Sequence, residues 1–227
     1  CSSDLNVTAM NEHELYHMIE WAKKEGADAV SVTAPYYHRY DEMALCRYFG
    51  KVAEAAEGMP VYLYNMSGMT NNPITPMVLK TVAEQHRNIC GVKDSSMDFM
   101  TLLNYQVAME KMDFELITGN DAQVLPALMA GAAGGIIAVA SVFPELSFSI
   151  WSNFKDGNIE EAKASQKTVL QIRELFRSVM PTIAHKEALK LKGFDMGPSR
   201  FPFRDLTEEE MRKLKRGLVN LGMIKGD

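Results

Sequence analysis

An α/β fold built on a parallel sheet is predicted by three observations. Short runs of β-branched and aromatic residues recur about every 20 to 30 residues, the length of a strand, a helix and two loops. A longer segment with helical periodicity follows each run. The runs themselves are nearly continuously apolar, as strands covered by helices on their faces are.

Five such runs can be read in order. The first is Ala29–Thr33 (AVSVT), with a helical pattern over residues 41–57 behind it. Residues 61–64 (VYLY) are the second, followed by a tight turn at Met66-Ser67-Gly68 and a helix over 76–84. Residues 89–93 (ICGVK) precede a helix over Phe99–Met109, and residues 114–118 (FELIT) precede one over 122–130. Residues 135–139 (GIIAV) form the fifth. The pattern then changes to helices over 159–179, 182–192 and 206–221, the last opening on the capping box Thr207-Glu208-Glu209-Glu210. The chain therefore divides into βα units over residues 1–150 and a helical extension over 151–227.

Composition narrows the function classes. Lys and Arg number 24 against 29 Asp and Glu, a net charge of −5, and no basic block offers a footprint for nucleic acid. The longest apolar stretch, residues 130–143, is glycine-rich and about 14 residues long, short of the roughly 20 that span a bilayer. Cys1, Cys46 and Cys90 are odd in number and widely spaced, which fits neither a disulfide framework nor a CxxC metal pair. A soluble cytoplasmic protein is expected, with no membrane and no nucleic-acid partner.

One motif is set aside on geometry. His13-Glu14-Leu15-Tyr16-His17 matches HExxH, in which two histidines one helical turn apart share a zinc ion. At about 100° per residue, however, Leu15, Met18, Ile19 and Ala22 form the apolar stripe, so His13 and His17 face solvent. No further Cys/His cluster supplies a third ligand.

Lys93 carries more weight. It ends an apolar strand and precedes Asp94-Ser95-Ser96, at the C-terminal strand end where α/β sheets and (β/α)8 barrels place their active sites. Burial there disfavours the ammonium and leaves an amine able to attack a carbonyl. Alone, such a lysine is more simply read as a cation that snorkels to water. The preceding strand changes the balance, because Val61-Tyr62-Leu63-Tyr64-Asn65 brings a phenol to the same height, suited to proton transfer at a carbinolamine. Pro35-Tyr36-Tyr37 behind the first strand offers a second phenol for a relay.

Taken with their order and spacing, VTAPYYHRY, YLYNMSGMT, GVKDSS, TGNDA and KEALKLKGFDMGPSRFPF resemble the dihydrodipicolinate synthase/N-acetylneuraminate lyase family of pyruvate-dependent class I aldolases. The resemblance covers essentially the whole chain. It implies a (β/α)8 TIM barrel with a C-terminal three-helix extension, in which Lys93 forms a Schiff base with pyruvate or another 2-oxo acid. It also implies that Tyr64 handles protons at the substrate and that Tyr37 is a relay tyrosine donated across a tight dimer interface. Ile136 falls where the backbone of a barrel strand meets bound pyruvate. A homotetramer of tight dimers is expected on the same ground. No cofactor is implied beyond the covalent imine, whose iminium supplies the positive charge.

Departures from the family's patterns bear on the substrate. Dihydrodipicolinate synthases usually place an arginine where Met69 stands, and an apolar side chain cannot clamp a carboxylate. Sialic-acid lyases bind a polyol with Gly, Asp and an adjacent Glu; Gly119 and Asp121 are kept, but Ala122 replaces the glutamate. The GVKD-Ser-Ser segment looks more like aldolases or dehydratases of 2-keto-3-deoxy sugar acids, with Ser95 or Ser96 bonded to a substrate hydroxyl. A dihydrodipicolinate synthase, a dehydratase using the same imine, and an inactive barrel paralogue that binds a 2-oxo acid or a partner subunit are the alternatives. By the motif match the five runs are strands four to eight, so three leading βα units are expected to be missing before Cys1.

Overall fold

Among the described residues, six parallel strands, each hydrogen-bonded to the next in sequence order, make one sheet. They are β1 (Asp4–Asn6), β2 (Ala29–Thr33), β3 (Val61–Asn65), β4 (Ile89–Asp94), β5 (Glu115–Thr118) and β6 (Gly134–Gly135). The computed structural model describes residues 4–226, so Cys1 lies outside the described residues.

The helices begin where local chemistry starts them. In α1 (Glu12–Lys24), α2 (Glu42–Ala55), α4 (Pro76–Gln85) and α5 (Phe99–Met109), the side chains of Asn11, Asp41, Thr75 and Asp98 accept hydrogen bonds from first-turn N–H groups. Such caps satisfy donors that the helix itself leaves open. Each helix buries one stripe: Leu15, Ile19 and Ala22 of α1; Leu45, Phe49 and Val52 of α2; Val78, Leu79 and Val82 of α4; Leu102, Tyr105 and Met109 of α5. These meet Val30, Val32, Val61, Leu63, Ile89 and Val92 of the strands in one core. A fully buried side chain of this size contributes about 1.5–3 kcal/mol. Strand parity follows, with Val61, Leu63 and Asn65 buried and Tyr62 and Tyr64 between them on the other face. A register shift at Val61/Tyr62 interrupts the β3–β4 ladder, Val61 pairing with Ile89 and Tyr62 with Gly91.

The chain falls into two compact units. One runs to Asn120 and includes Pro126–Ile136; the other holds Asp121–Leu125 and the chain from Ile137 onward. The second is helical, with α7 (Pro144–Lys155), α8 (Ile159–Arg177), α9 (Pro181–Leu191) and α10 (Glu208–Asn220). Its interior holds Ile150, Val169, Ile172, Phe176, Ile183 and Leu218. The capping box forms: Glu210 N–H donates to Thr207 Oγ1 at 3.2 Å, and Thr207 N–H donates to Glu210 Oε2 at 2.8 Å. Arg204 adds a two-pronged bond to the same carboxylate at 2.7 and 2.8 Å.

Several expectations are corrected. The sheet has six strands rather than five, because Asp4–Asn6 pairs with Ala29–Ser31, and the absence of three leading strands is not supported. A three-residue strand reading DLN carries no β-branched signal. The fifth run shrinks to Gly134–Gly135 and Val139–Ser141 turns into a 3-10 helix, since glycine weakens a strand. The segment 122–130 opens as a 3-10 turn, Asp121–Gln123, before α6 (Val124–Met129). The turn after β3 is a single helical turn, α3 (Ser67–Thr70), ended by Asn71 at φ 60°. The helix α7 is an addition.

His13 and His17 are exposed on α1, as the helical stripe predicts. Among the described residues no helix is long and apolar enough to cross a membrane.

Candidate active site

The ends of β3, β4 and β5 bring the predicted chemistry together. In the β3–β4 ladder Tyr64 pairs with Lys93 and Asn65 with Asp94; across the next ladder Lys93 pairs with Ile117 and Asp94 with Thr118. Lys93 is half-buried, and its Nζ sits 4.1 Å above the centroid of the Tyr64 ring, a cation–π distance. One layer lower, the Tyr62 hydroxyl donates to Glu115 Oε2 at 2.6 Å, crossing β4 over Gly91, where a Cβ would run into the Tyr62 ring. Burial and that carboxylate push the Tyr62 phenol well above its ordinary value.

Gly119 shapes the space beside the lysine. Its N–H donates to the Asp94 carbonyl at 2.7 Å, and a Cβ there would overlap Ser95 Oγ and stand 3.1 Å from Lys93 Cε. Only glycine allows that approach. Ser95 is held by its own N–H, which donates to the Asn65 carbonyl at 2.8 Å. Ser96 Oγ instead donates to Asp94 Oδ2 at 2.9 Å.

On the buried side of the same strand ends, the Asn65 amide donates to Asp94 Oδ1 at 2.7 Å, and Asn65 Oδ1 accepts the Ile74 N–H at 3.1 Å. Burial raises the Asp94 carboxyl above its ordinary value, opposed by the hydrogen bonds from Asn65 and Ser96. The sequence assigns neither residue a role. The signal was present in the alternation of VYLYN, which puts Asn65 in phase with buried Val61 and Leu63.

The pattern of the dihydrodipicolinate synthetase family matches residues 5–221, nearly the whole chain. The chain belongs to that family. An uncharacterized DapA-like lyase of Halobacterium salinarum is 35% identical over 90% of this chain and 66% of its own length. A 4-hydroxy-tetrahydrodipicolinate synthase of Acetivibrio thermocellus is 32% identical over 96% of this chain and 74% of its own. Among solved structures, YagE, a prophage protein of this family from E. coli K12 in complex with pyruvate, superposes with a TM-score of 0.92 at 28% identity, covering 98% of this chain and 76% of that one. A dihydrodipicolinate synthase of Bacillus anthracis gives 0.88 at 26%, covering 99% and 75%. The chain thus spans about two thirds to three quarters of the length of these relatives of the dihydrodipicolinate synthetase family.

The other family positions named from the sequence lie farther out. Tyr37 is 78% exposed, sits at φ 81° in the left-handed region, and meets the His38 ring edge-on at 5.0 Å. Its loop is fastened by the buried Asn72, whose amide donates to the carbonyls of Pro35 at 2.7 Å and His38 at 2.6 Å while its Oδ1 accepts the Tyr40 N–H at 2.8 Å. Nothing in the sequence pattern marks Asn72. Met69 is 77% exposed on α3. Ile136 is 44% exposed, and its N–H donates to the Thr118 carbonyl at 2.9 Å, carrying the β5–β6 pairing past Gly135. Asp121 belongs to the second unit, where its Oδ1 accepts the Val139 N–H at 2.8 Å and Gln166 donates to its carbonyl at 2.7 Å.

Proposed function

We propose that this chain carries the chemistry of a Schiff-base lyase that cleaves or forms a 2-keto-3-deoxy acid, with pyruvate as product or substrate. The single observation carrying this is the Lys93 amine lying on the Tyr64 ring, with Gly119 clearing the space beside it. Lys93 adds to the C2 ketone, and loss of water from the carbinolamine leaves the iminium. In cleavage, the C3–C4 electron pair moves into that iminium to give an enamine and C4 leaves as an aldehyde, while Tyr64 relays the C4 hydroxyl proton to the substrate carboxylate or solvent. Protonation at C3 and hydrolysis return Lys93 and release pyruvate. The electron sink is the iminium itself, so the chemistry calls for no further cofactor.

The substrate class rests on the surrounding side chains. Met69 brings no guanidinium for a second carboxylate. Ser96 is engaged by Asp94, which leaves Ser95, beside Gly119 and Lys93, as the hydroxyl for a substrate oxygen. Ala122 stands where sialic-acid lyases carry a glutamate for the polyol, which favours a shorter acid over an extended polyol. A dehydratase working through the same imine is the second reading, favoured by that same Ser95 hydroxyl. Ile136 and Tyr37 keep the roles that family resemblance implies, and a cytoplasmic homotetramer of tight dimers is the assembly proposed.

Borohydride reduction in the presence of pyruvate, followed by peptide mass analysis, tests the proposal. An adduct on Lys93, absent from Lys93→Ala, is expected; an intact chain that gains none is a bystander barrel. A panel of 2-keto-3-deoxy acids then separates release of pyruvate from loss of water, and sedimentation reads the assembly.

A further inference from the structure

Asn65 and Asp94 are joined side chain to side chain at the ends of β3 and β4. They face each other in register at the tops of β3 and β4, are only 1% and 3% exposed, and are joined at 2.7 Å. Asn65 Oδ1 takes the Ile74 N–H, and the Ile74 carbonyl accepts the Tyr105 hydroxyl of α5, so the loop leaving α3 is tied to the same point. The main chain of the pair is engaged too: the Asn65 carbonyl accepts Ser95 N–H at 2.8 Å and the Asp94 carbonyl accepts Gly119 N–H at 2.7 Å. Each member is the sequence neighbour of a site residue, Asn65 of Tyr64 and Asp94 of Lys93. Strand alternation sends those neighbours to the opposite face.

We propose that the Asn65–Asp94 pair is a positioning clamp that sets the placement of Lys93 on the Tyr64 ring and of the Gly119 peptide against Lys93. It acts through geometry rather than charge. The oxygen that receives the Asn65 amide and the group that meets Ser96 Oγ can both be supplied by a neutral amide, since a serine hydroxyl accepts as well as donates. The proposal rests on Lys93 being the imine-forming residue, and its test is arranged to fail separately from that reading.

The experiment compares Asp94→Ala and Asp94→Asn with the unaltered chain. Two readouts are taken per folded molecule: the rate of borohydride trapping with pyruvate, and the competitive labelling of Lys93 by acetic anhydride relative to exposed Lys80. Displacing a reacting group by about 1 Å can cost ~100-fold. Trapping by Asp94→Ala is therefore expected to fall about 10- to 100-fold, with Lys93 labelling at least twofold higher as the amine leaves the ring. Asp94→Asn is expected to stay within about threefold of the unaltered chain in both. If Asp94→Ala does not fold, Asn65→Ala removes the donor from the other side and is read in the same two assays. Equal loss in the alanine and asparagine variants would assign the effect to charge and overturn the clamp. So would unchanged trapping and labelling in a folded alanine variant, which would leave the pair a purely structural element. If the unaltered chain is not trapped at all, the aldolase reading falls, while the labelling comparison still decides the clamp.

Discussion

Lys93 and Gly119 illustrate how closely a single position can be determined. A Cβ at 119 would overlap Ser95 Oγ and press on Lys93 Cε, so Gly119→Ala must displace one of the two side chains the proposed chemistry uses. Overpacking of this kind typically costs about 1–3 kcal/mol. We expect urea denaturation of the variant to show that loss and pyruvate trapping to fall by about 100-fold from misplacement of the amine. Tyr64→Phe separates the roles of ring and hydroxyl. The ring that lies under Nζ is kept, so trapping is slowed but persists, while turnover on a 2-keto-3-deoxy acid falls further, by about 100- to 10,000-fold, the usual weight of a positioned acid–base group. Equal loss of trapping and turnover would show that the hydroxyl is needed already for imine formation and not only for bond cleavage.

At the scale of elements, loops here are held by single buried side chains. Asn72 binds the carbonyls of Pro35 and His38 and the N–H of Tyr40, fastening the β2–α2 loop that carries Tyr37. Asn72→Ala leaves those backbone groups without partners, and each buried unsatisfied group costs about 1–3 kcal/mol. A loss of roughly 2–3 kcal/mol in chemical denaturation is expected, with faster proteolysis in the 35–40 segment. The start of α10 gives a pH prediction. Arg204 and the Thr207 cap hold Glu210 down to about 2, below its ordinary 4.5. A depressed carboxyl stabilises the folded state above the unfolded value and loses that contribution as pH falls through the folded one. Between pH 4.5 and about 2 the helix start should therefore fray, followed by amide exchange at residues 208–211, and Arg204→Gln should move the onset to higher pH.

For the whole molecule, Asp94 works in the opposite sense. Its carboxyl is raised by burial, so its contribution is fully present below its ordinary 3.8 and is lost as pH rises through the raised folded value. Asp94→Asn should remove that part of the decline, and urea midpoints of the variant should fall less steeply than those of the unaltered chain as pH rises above 3.8. Much of the architecture was readable because it is carried by periodicity: AVSVT, VYLY and ICGVK are long enough in β-branched and aromatic residues to declare themselves. Asp4–Asn6 was not, since three residues with two polar ends cannot show an alternation, and the glycines of β6 hide its pairing for the same physical reason. The juxtaposition of Lys93 and Tyr64 was legible because both end neighbouring strands at the same height. The site was illegible where polar residues bond to groups brought near by folding: alternation marks Asn65 as buried but not its partners, and no local spacing reveals those of Asn72 and Asp94.

The shifted pairing at Val61/Tyr62 matters far beyond its own strand. Continued without interruption from Val61 and Ile89, the ladder would set Tyr64 opposite Val92 and Asn65 opposite Lys93. Cys90 is the residue absorbed by the shift, and that one-residue stutter retimes the top of β4 so that amine and phenol arrive level on one face while amide and carboxyl arrive level on the other. The working end of the sheet is thus tuned from its opposite end, by a change of phase at the bottom of two strands.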